Sequence, residues 1–184
     1  MWNAAIVLVL IGLCLLWIMA AFNHLIRLRN QTTNAWKQID VQLKRRHDLI
    51  PNLVLAIKGV MDFEQQTLTR VIEARNRAIM GGGVAEKAAQ EAALSQALRQ
   101  LFALAENYPA LKSNDNVRQL QEELVSTENR IGFARQFYND ITTQFNIAQE
   151  VFPASLVARA LQFQPAVLFT IDAVAERSVP AVRL

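Results

Sequence analysis

Chemistry in this chain would have to come from a small set of residues: two histidines, one cysteine and scattered carboxylates. His24 and His47 stand apart, and neither has a second His or Cys at ligand spacing, so no metal site is expected. No Ser or Cys sits in a strained turn beside a candidate base, and no Glu-x-x-His motif marks a diiron bundle. Glu122-Glu123 is a carboxylate pair on a polar helix face, most simply solvated. Gly81-Gly82-Gly83 lacks the preceding strand and following Lys-Ser/Thr of a phosphate-cradling loop. No catalytic residue, cofactor or metal ligand is assigned.

Charge is the more informative signal. The net charge is +3, but His24 to Arg46 holds six basic residues (Arg27, Arg29, Lys37, Lys44, Arg45, Arg46) against Asp40 alone. A nucleic-acid binder would spread its basic patch over the folded body, so nucleic acid is not an expected partner. Three readings of Lys44-Arg45-Arg46-His47 stay open: a solvated face, pairing with acids such as Glu122, Glu123 or Glu128, or contact with anionic lipid headgroups. Lys44 would lie roughly 30 Å beyond Phe22 on a straight helix, beyond a Debye length. Arg27 and Arg29 are thus the better headgroup contacts. Candidates for polar pairing or an interface are Trp36, Asp40, Lys44, Arg45, Arg46 and Asp48 on the first helix. On the third they are Glu128, Arg130, Arg135 and Tyr138. Phe137-Tyr138-Asn139 and Phe145-Asn146 repeat one aromatic–polar pattern; core packing is the default reading, single-strand base stacking the alternative.

The elements that must position these residues begin with Ala4 to Phe22, a run without charge. At 1.5 Å per residue it spans roughly 28 Å, close to the hydrocarbon thickness of a bilayer. Trp2 and Trp17 fit interfacial positions. A cleaved signal would need a basic start and a small-residue cleavage site, and Met-Trp-Asn and Ala20-Ala21 supply neither well. Leu13 before Cys14 argues against a lipoprotein signal, and Cys14 reads as a buried structural cysteine. Basic residues follow the span and none precedes it. The positive-inside bias then places the N-terminus outside and the body in the cytoplasm of a bacterial inner membrane.

Beyond the span a helical seam continues through Leu25, Leu28, Thr32, Ala35, Trp36, Ile39, Leu43, Arg46, Ile50, Leu53, Ile57 and Val60. Pro51 predicts a kink or short break, after which the helix resumes to Met80 with Met61, Leu68, Val71 and Ile72 inward. Gly81 to Gly83 stop it. A second helix runs from Val84 to Tyr108, ended by Pro109, and the polar run to Asp115 caps the next. The third helix, from Val117 to Phe152, repeats Leu120, Leu124, Thr127, Ile131, Ala134, Tyr138, Ile141, Phe145 and Ala148 inward. It is a rod of about 50 Å with coiled-coil-like periodicity. Pro153 ends it, a short helix spans Ala154 to Phe163, and Val167 to Ile171 is too isolated to build a sheet. With 52% apolar residues and only six Gly and five Pro, disorder is excluded and unbroken helices are favoured.

The fold class is therefore all-α: a single N-terminal transmembrane helix continuing into a long antiparallel three- to four-helix bundle. The expected parts are an anchor over 1–26, a cytoplasmic bundle over 27–163 and a tail over 164–184.

At these residues the chain resembles the LemA family. The matching stretches are LRNQTTNAWKQIDVQLKRRHDLIPNLV (Leu28 to Val54), Glu73-Ala74-Arg75, YPALKSNDN (Tyr108 to Asn116), LQEELVSTENRI (Leu120 to Ile131), AR-x-x-YN (Ala134 to Asn139) and Phe152-Pro153. The resemblance implies a membrane helix with a short external end, a helical bundle in the cytoplasm, and no established activity or cofactor. One branch of the family is similar to proteins of magnetosome membrane formation. After Gln162-Phe163 the chain departs from the family pattern, and Leu168 to Asp172 replaces an acidic tail.

The leading functional expectation is a non-enzymatic, homo-oligomeric scaffold on the lipid bilayer. The second is an adaptor presenting the bundle to an unidentified protein partner, which a large apolar patch outside the seam would favour. The third is a hydrolase or ligand carrier with a buried carboxylate cluster.

Overall fold

The computed structural model describes residues 2–59 and 65–170. Its elements are α1 (Trp2–Lys58), α2 (Gln65–Met80), α3 (Val84–Ala105), α4 (Pro109–Lys112), α5 (Asp115–Glu150) and α6 (Ala154–Ala160). The fold is all-α, and no strand occurs among the described residues. Val60, Met61 and the tail from Ile171 onward, including Asp172, lie outside them.

The apolar run leads without interruption into the first basic helix, forming one 57-residue element. An 18-residue window of α1 is long and apolar enough to cross a membrane, and none of it is buried by protein. Cys14 is therefore exposed rather than buried, because no other element among the described residues packs at that level. Pro51 does not break α1. Its missing N–H frees the carbonyl of His47, and Arg75 Nε donates to that oxygen at 2.7 Å. The helix ends instead at Lys58, with Gly59 in a turn, so the expected continuation to Met80 is a separate helix, α2. Glycine destabilises a helix interior, which makes this a natural stop.

Gly81 to Gly83 join α2 to α3, and the Gly82 amide donates to the Glu86 carboxylate at 3.2 Å. α3 stops at Ala105, short of Tyr108. Pro109 disfavours helical backbone at the residue before it, and Tyr108 is extended with φ −112° and ψ 96°. Asn114 then caps α5: its Oδ1 accepts from the amides of Asn116 at 3.0 Å and Val117 at 3.3 Å.

The described chain divides into two compact units. The first comprises Met1–Val41 and Ile131–Leu168. In it Leu25, Leu28, Thr32, Ala35 and Ile39 of α1 are buried, as are Ile131, Tyr138 and Phe145 of α5. Trp36 meets Tyr138, and Leu25 packs with Ala148, so α1 and α5 run antiparallel here. α6 adds Val157 and Ala158 to the cluster around Leu25 and Ala21.

The second unit is Gln42–Arg130 with Phe169–Leu184. Its core joins Ile50, Leu53 and Ile57 of α1 to Leu68 and Val71 of α2, Leu94, Leu98 and Leu101 of α3, and Val117 and Leu124 of α5. Leu111 of α4 belongs to the same cluster. Two expected seam residues face out: Ile72, and Phe152, which falls beyond the last turn of α5.

Candidate functional site

Among the described residues, polar side chains from separate elements gather in a buried ionic cluster and in a groove. The cluster lies in the second unit. Arg46 of α1 places Nη1 2.8 Å from Glu128 of α5 and 3.6 Å from Glu91 of α3, and its Nη2 donates to Ser95 Oγ at 2.8 Å. The neighbouring His47 contacts Glu91 Oε1 through Nε2 at 2.7 Å. The Arg46 and Glu91 side chains are only 5% and 4% exposed, whereas Glu128 is half exposed. Successive residues of α1 thus hold both ends of one α3 carboxylate, although Glu91 Oε2 makes no hydrogen bond of its own. The cluster sets one buried carboxylate against a guanidinium and an imidazole, a charge balance suited to fixing helix register.

Periodicity placed Arg46 on the α1 seam but did not pair it with Glu91 of α3. No local pattern in the sequence links positions so far apart. At the rim, Arg45 lies 3.8 Å from Glu123. Lys44, Asp48, Arg130 and Arg135 make no ion pair among the described residues, and Asp40 has interactions of its own. Trp36 and Tyr138, from the same group of candidates, meet at 5.5 Å between ring centroids.

The second place is a groove of about 570 Å³ in the first unit, beside the end of the apolar run. Phe22, Ile26, Arg29, Thr32 and Thr33 line it from α1, Phe145 from α5, and Leu161 to Gln164 with Ala166 from the segment after α6. Phe163 organises the floor: Phe22 and Phe145 each meet its ring edge-on at 6.3 Å, and the Arg29 guanidinium lies 5.7 Å above it. Arg29 lines this groove and Arg27 does not.

Two α5 side chains pin the segment that follows. Asn146 exchanges two 2.9 Å hydrogen bonds with the Ala166 backbone, and Tyr138 donates to the Val167 carbonyl at 2.7 Å. Burial raises the Tyr138 pKa above its ordinary value, with a smaller opposing contribution from Thr142. The aromatic–polar repeat on α5 thus includes two backbone clamps, a role that spacing alone did not reveal.

The sequence profile of the LemA family matches residues 35–184. The chain belongs to the LemA family. It is similar to Protein LemA of Metamycoplasma hominis, 27% identical over 151 residues, covering 80% of this chain and 68% of that protein. It is also similar to the magnetosome proteins MamQ 1 and MamQ 2 of Paramagnetospirillum magneticum, 23% identical over 175 residues. Those matches cover 80% of this chain and 64% of each relative, so the chain spans somewhat under two thirds of their length. LemA membership and the uncovered apolar helix together fit a membrane-associated protein.

Proposed function

We propose that this LemA-family chain is a non-enzymatic, single-pass protein of the bacterial inner membrane that assembles with copies of itself into a scaffold. α1 is the anchor, its N-terminus lies outside, and the helical body stands in the cytoplasm. The orientation is supported by the basic residues that follow the apolar run and by their absence before it.

The observation that carries the assembly reading is an exposed row on α5. Phe133 and Phe137 lie one turn apart on one face of the helix, with Ile147 further along that face beyond the exposed Asp140 and Gln144, and Phe133 is 74% exposed. A row of this kind is self-complementary in a two-fold pair and is covered most simply by a second copy. Two relatives of this chain are named as magnetosome proteins.

The same row would also serve an adaptor, so mass decides between the two. Light scattering and particle imaging of the detergent-extracted chain should give a discrete oligomer that Phe133→Ser with Phe137→Ser dissolves. A monodisperse monomer refutes the scaffold and directs the row to a different protein. Orientation is tested with Gly82→Cys in a Cys14→Ser background. A Cβ added at position 82 comes within 3.2 Å of the flexible Glu86 carboxylate and meets no other described residue within 4 Å. Labelling by an impermeant thiol reagent outside intact cells would refute the cytoplasmic body.

A further inference from the structure

We infer that the groove beside the end of the apolar run is a headgroup site for an anionic phospholipid, with the exposed side chains around α6 seated in the membrane interface next to it. The inference rests on the anchor reading of α1 and adds a defined lipid site to it.

Depth is the first argument. Phe22, the last residue of the charge-free run, forms one end of the groove, and Arg29 lies seven residues further along α1. That is about 10 Å along the helix axis. Headgroup layers extend roughly 5–8 Å beyond the hydrocarbon on each side. A long arginine side chain reaching back toward the bilayer covers the remaining distance.

The lining chemistry selects an anion. Thr32 and Thr33 donate their hydroxyl protons to the carbonyls of Leu28 and Arg29, both at 3.1 Å. The side-chain donors left to a ligand are the Arg29 guanidinium and the amides of Gln162 and Gln164. No carboxylate lines the groove, and Arg29 makes no ion pair among the described residues. A guanidinium held over an aromatic ring keeps its N–H edge available for a phosphate.

The apolar surroundings select a lipid. Val157 and Ala158 of α6 pack with Ala21 and Leu25, at the very end of the apolar run. The outward side chains there are large: Phe152 is 75% exposed, Leu156 59% and Leu161 52%. At this level along α1 the solvent is the bilayer boundary, where apolar side chains and a basic neighbour bind together. Arg29 therefore takes the phosphate while Leu161 and Phe163 lie along the glycerol and upper acyl chains.

Native mass spectrometry of the full-length, detergent-extracted protein tests this. Phosphatidylglycerol and phosphatidylcholine of identical acyl chains are supplied in equal amounts. Wild type should retain phosphatidylglycerol several-fold over phosphatidylcholine. Arg29→Gln should lose that preference, whereas Lys37→Gln, an exposed cation of the same basic stretch outside the groove, should keep it. Equal retention of the two lipids by wild type overturns the site, as does unchanged preference in Arg29→Gln. A loss in Lys37→Gln as large as in Arg29→Gln overturns it too, because diffuse charge would then suffice. Carbonate extraction of cell membranes separates the two readings. If wild type is stripped, the anchor reading itself fails; if it stays and shows no lipid preference, only the headgroup site fails.

Discussion

Arg75 donates through Nε to the backbone carbonyl of His47 at 2.7 Å, and that carbonyl is the one Pro51 deprives of its helical donor. A proline four residues on removes the N–H that the His47 oxygen would otherwise accept, and its ring crowds the same oxygen. The side chain of α2 replaces the missing donor with a charged one. This explains how α1 passes through Pro51 without ending. Arg75→Ala should therefore destabilise the second unit by about 2 kcal/mol, the range for a lost hydrogen bond from a charged group. Pro51→Ala restores the helical N–H, so in that background the cost of Arg75→Ala should fall to well under half. Thermal melts of the four variants in one detergent give the coupling. Equal costs in both backgrounds would show that Arg75 acts elsewhere.

The Glu91 carboxylate meets side chains from consecutive residues of α1, the Arg46 guanidinium and the His47 imidazole. Glu91→Ala leaves His47 without its 2.7 Å partner and strips Arg46 of its buried counter-charge, although Glu128 remains at 2.8 Å. Removing one partner of a buried ion pair typically costs about 3–5 kcal/mol, while replacing the whole pair by apolar residues of similar size can be neutral. Glu91→Ala should fall toward the lower end of that range because Glu128 persists. Arg46→Met with Glu91→Leu should recover at least half of the loss, measured by denaturant titration of the full chain. A double variant no more stable than Glu91→Ala would mean that the charges, rather than the packing, set the helix register.

How much of this was legible in the sequence follows from what periodicity can encode. Leu25, Leu28, Ala35, Ile39, Leu43, Ile50 and Leu53 were readable as a buried row because each is fixed by its own helix. The uncovered apolar helix was readable for the same reason. The end of α1 was not, because Gly59 within an otherwise apolar pattern is a weak local stop beside the stronger expectation attached to Pro51. The meeting of Arg46, His47 and Glu91 is a tertiary event between residues in separate helices, and composition carries no trace of it. Likewise the groove needs the segment after α6 laid across α1 and α5, which Asn146 and Tyr138 enforce through backbone atoms that any sequence would supply.

Gln162 has φ 53°, in the left-handed region where a residue with a Cβ is strained. It closes α6 in a Schellman turn: the Phe163 amide donates to the Ala158 carbonyl at 3.0 Å and the Gln162 amide to Arg159 at 3.1 Å. Gln162→Gly removes the clash, offset in part by the greater freedom of glycine in the unfolded chain. The variant should gain about 0.5–1 kcal/mol, and Gln162→Val should lose at least as much. Melting temperatures of the two variants against wild type check the sign of each change. A loss in Gln162→Gly would show that the side-chain amide contributes more than the backbone strain costs.

Tyr138 supplies a pH test of the clamp on the segment after α6. Its hydroxyl is buried and donates to the Val167 carbonyl, and burial raises its pKa from the ordinary 10.0. Below pH 10 the phenol is protonated in both folded and unfolded chains, so its contribution to stability is complete there. Above that, the unfolded chain releases the proton while the folded chain retains it, and stability falls with rising pH until the folded group also ionises. Tyr138→Phe should cost about 1 kcal/mol at neutral pH, because the Val167 carbonyl loses a donor. Its stability should then decline less steeply than that of wild type above pH 10, since only the common background of other titrating groups remains. Denaturant midpoints taken for both proteins from pH 7 to 11 measure the difference. Parallel profiles would remove Tyr138 as the buried donor that holds this segment to α5.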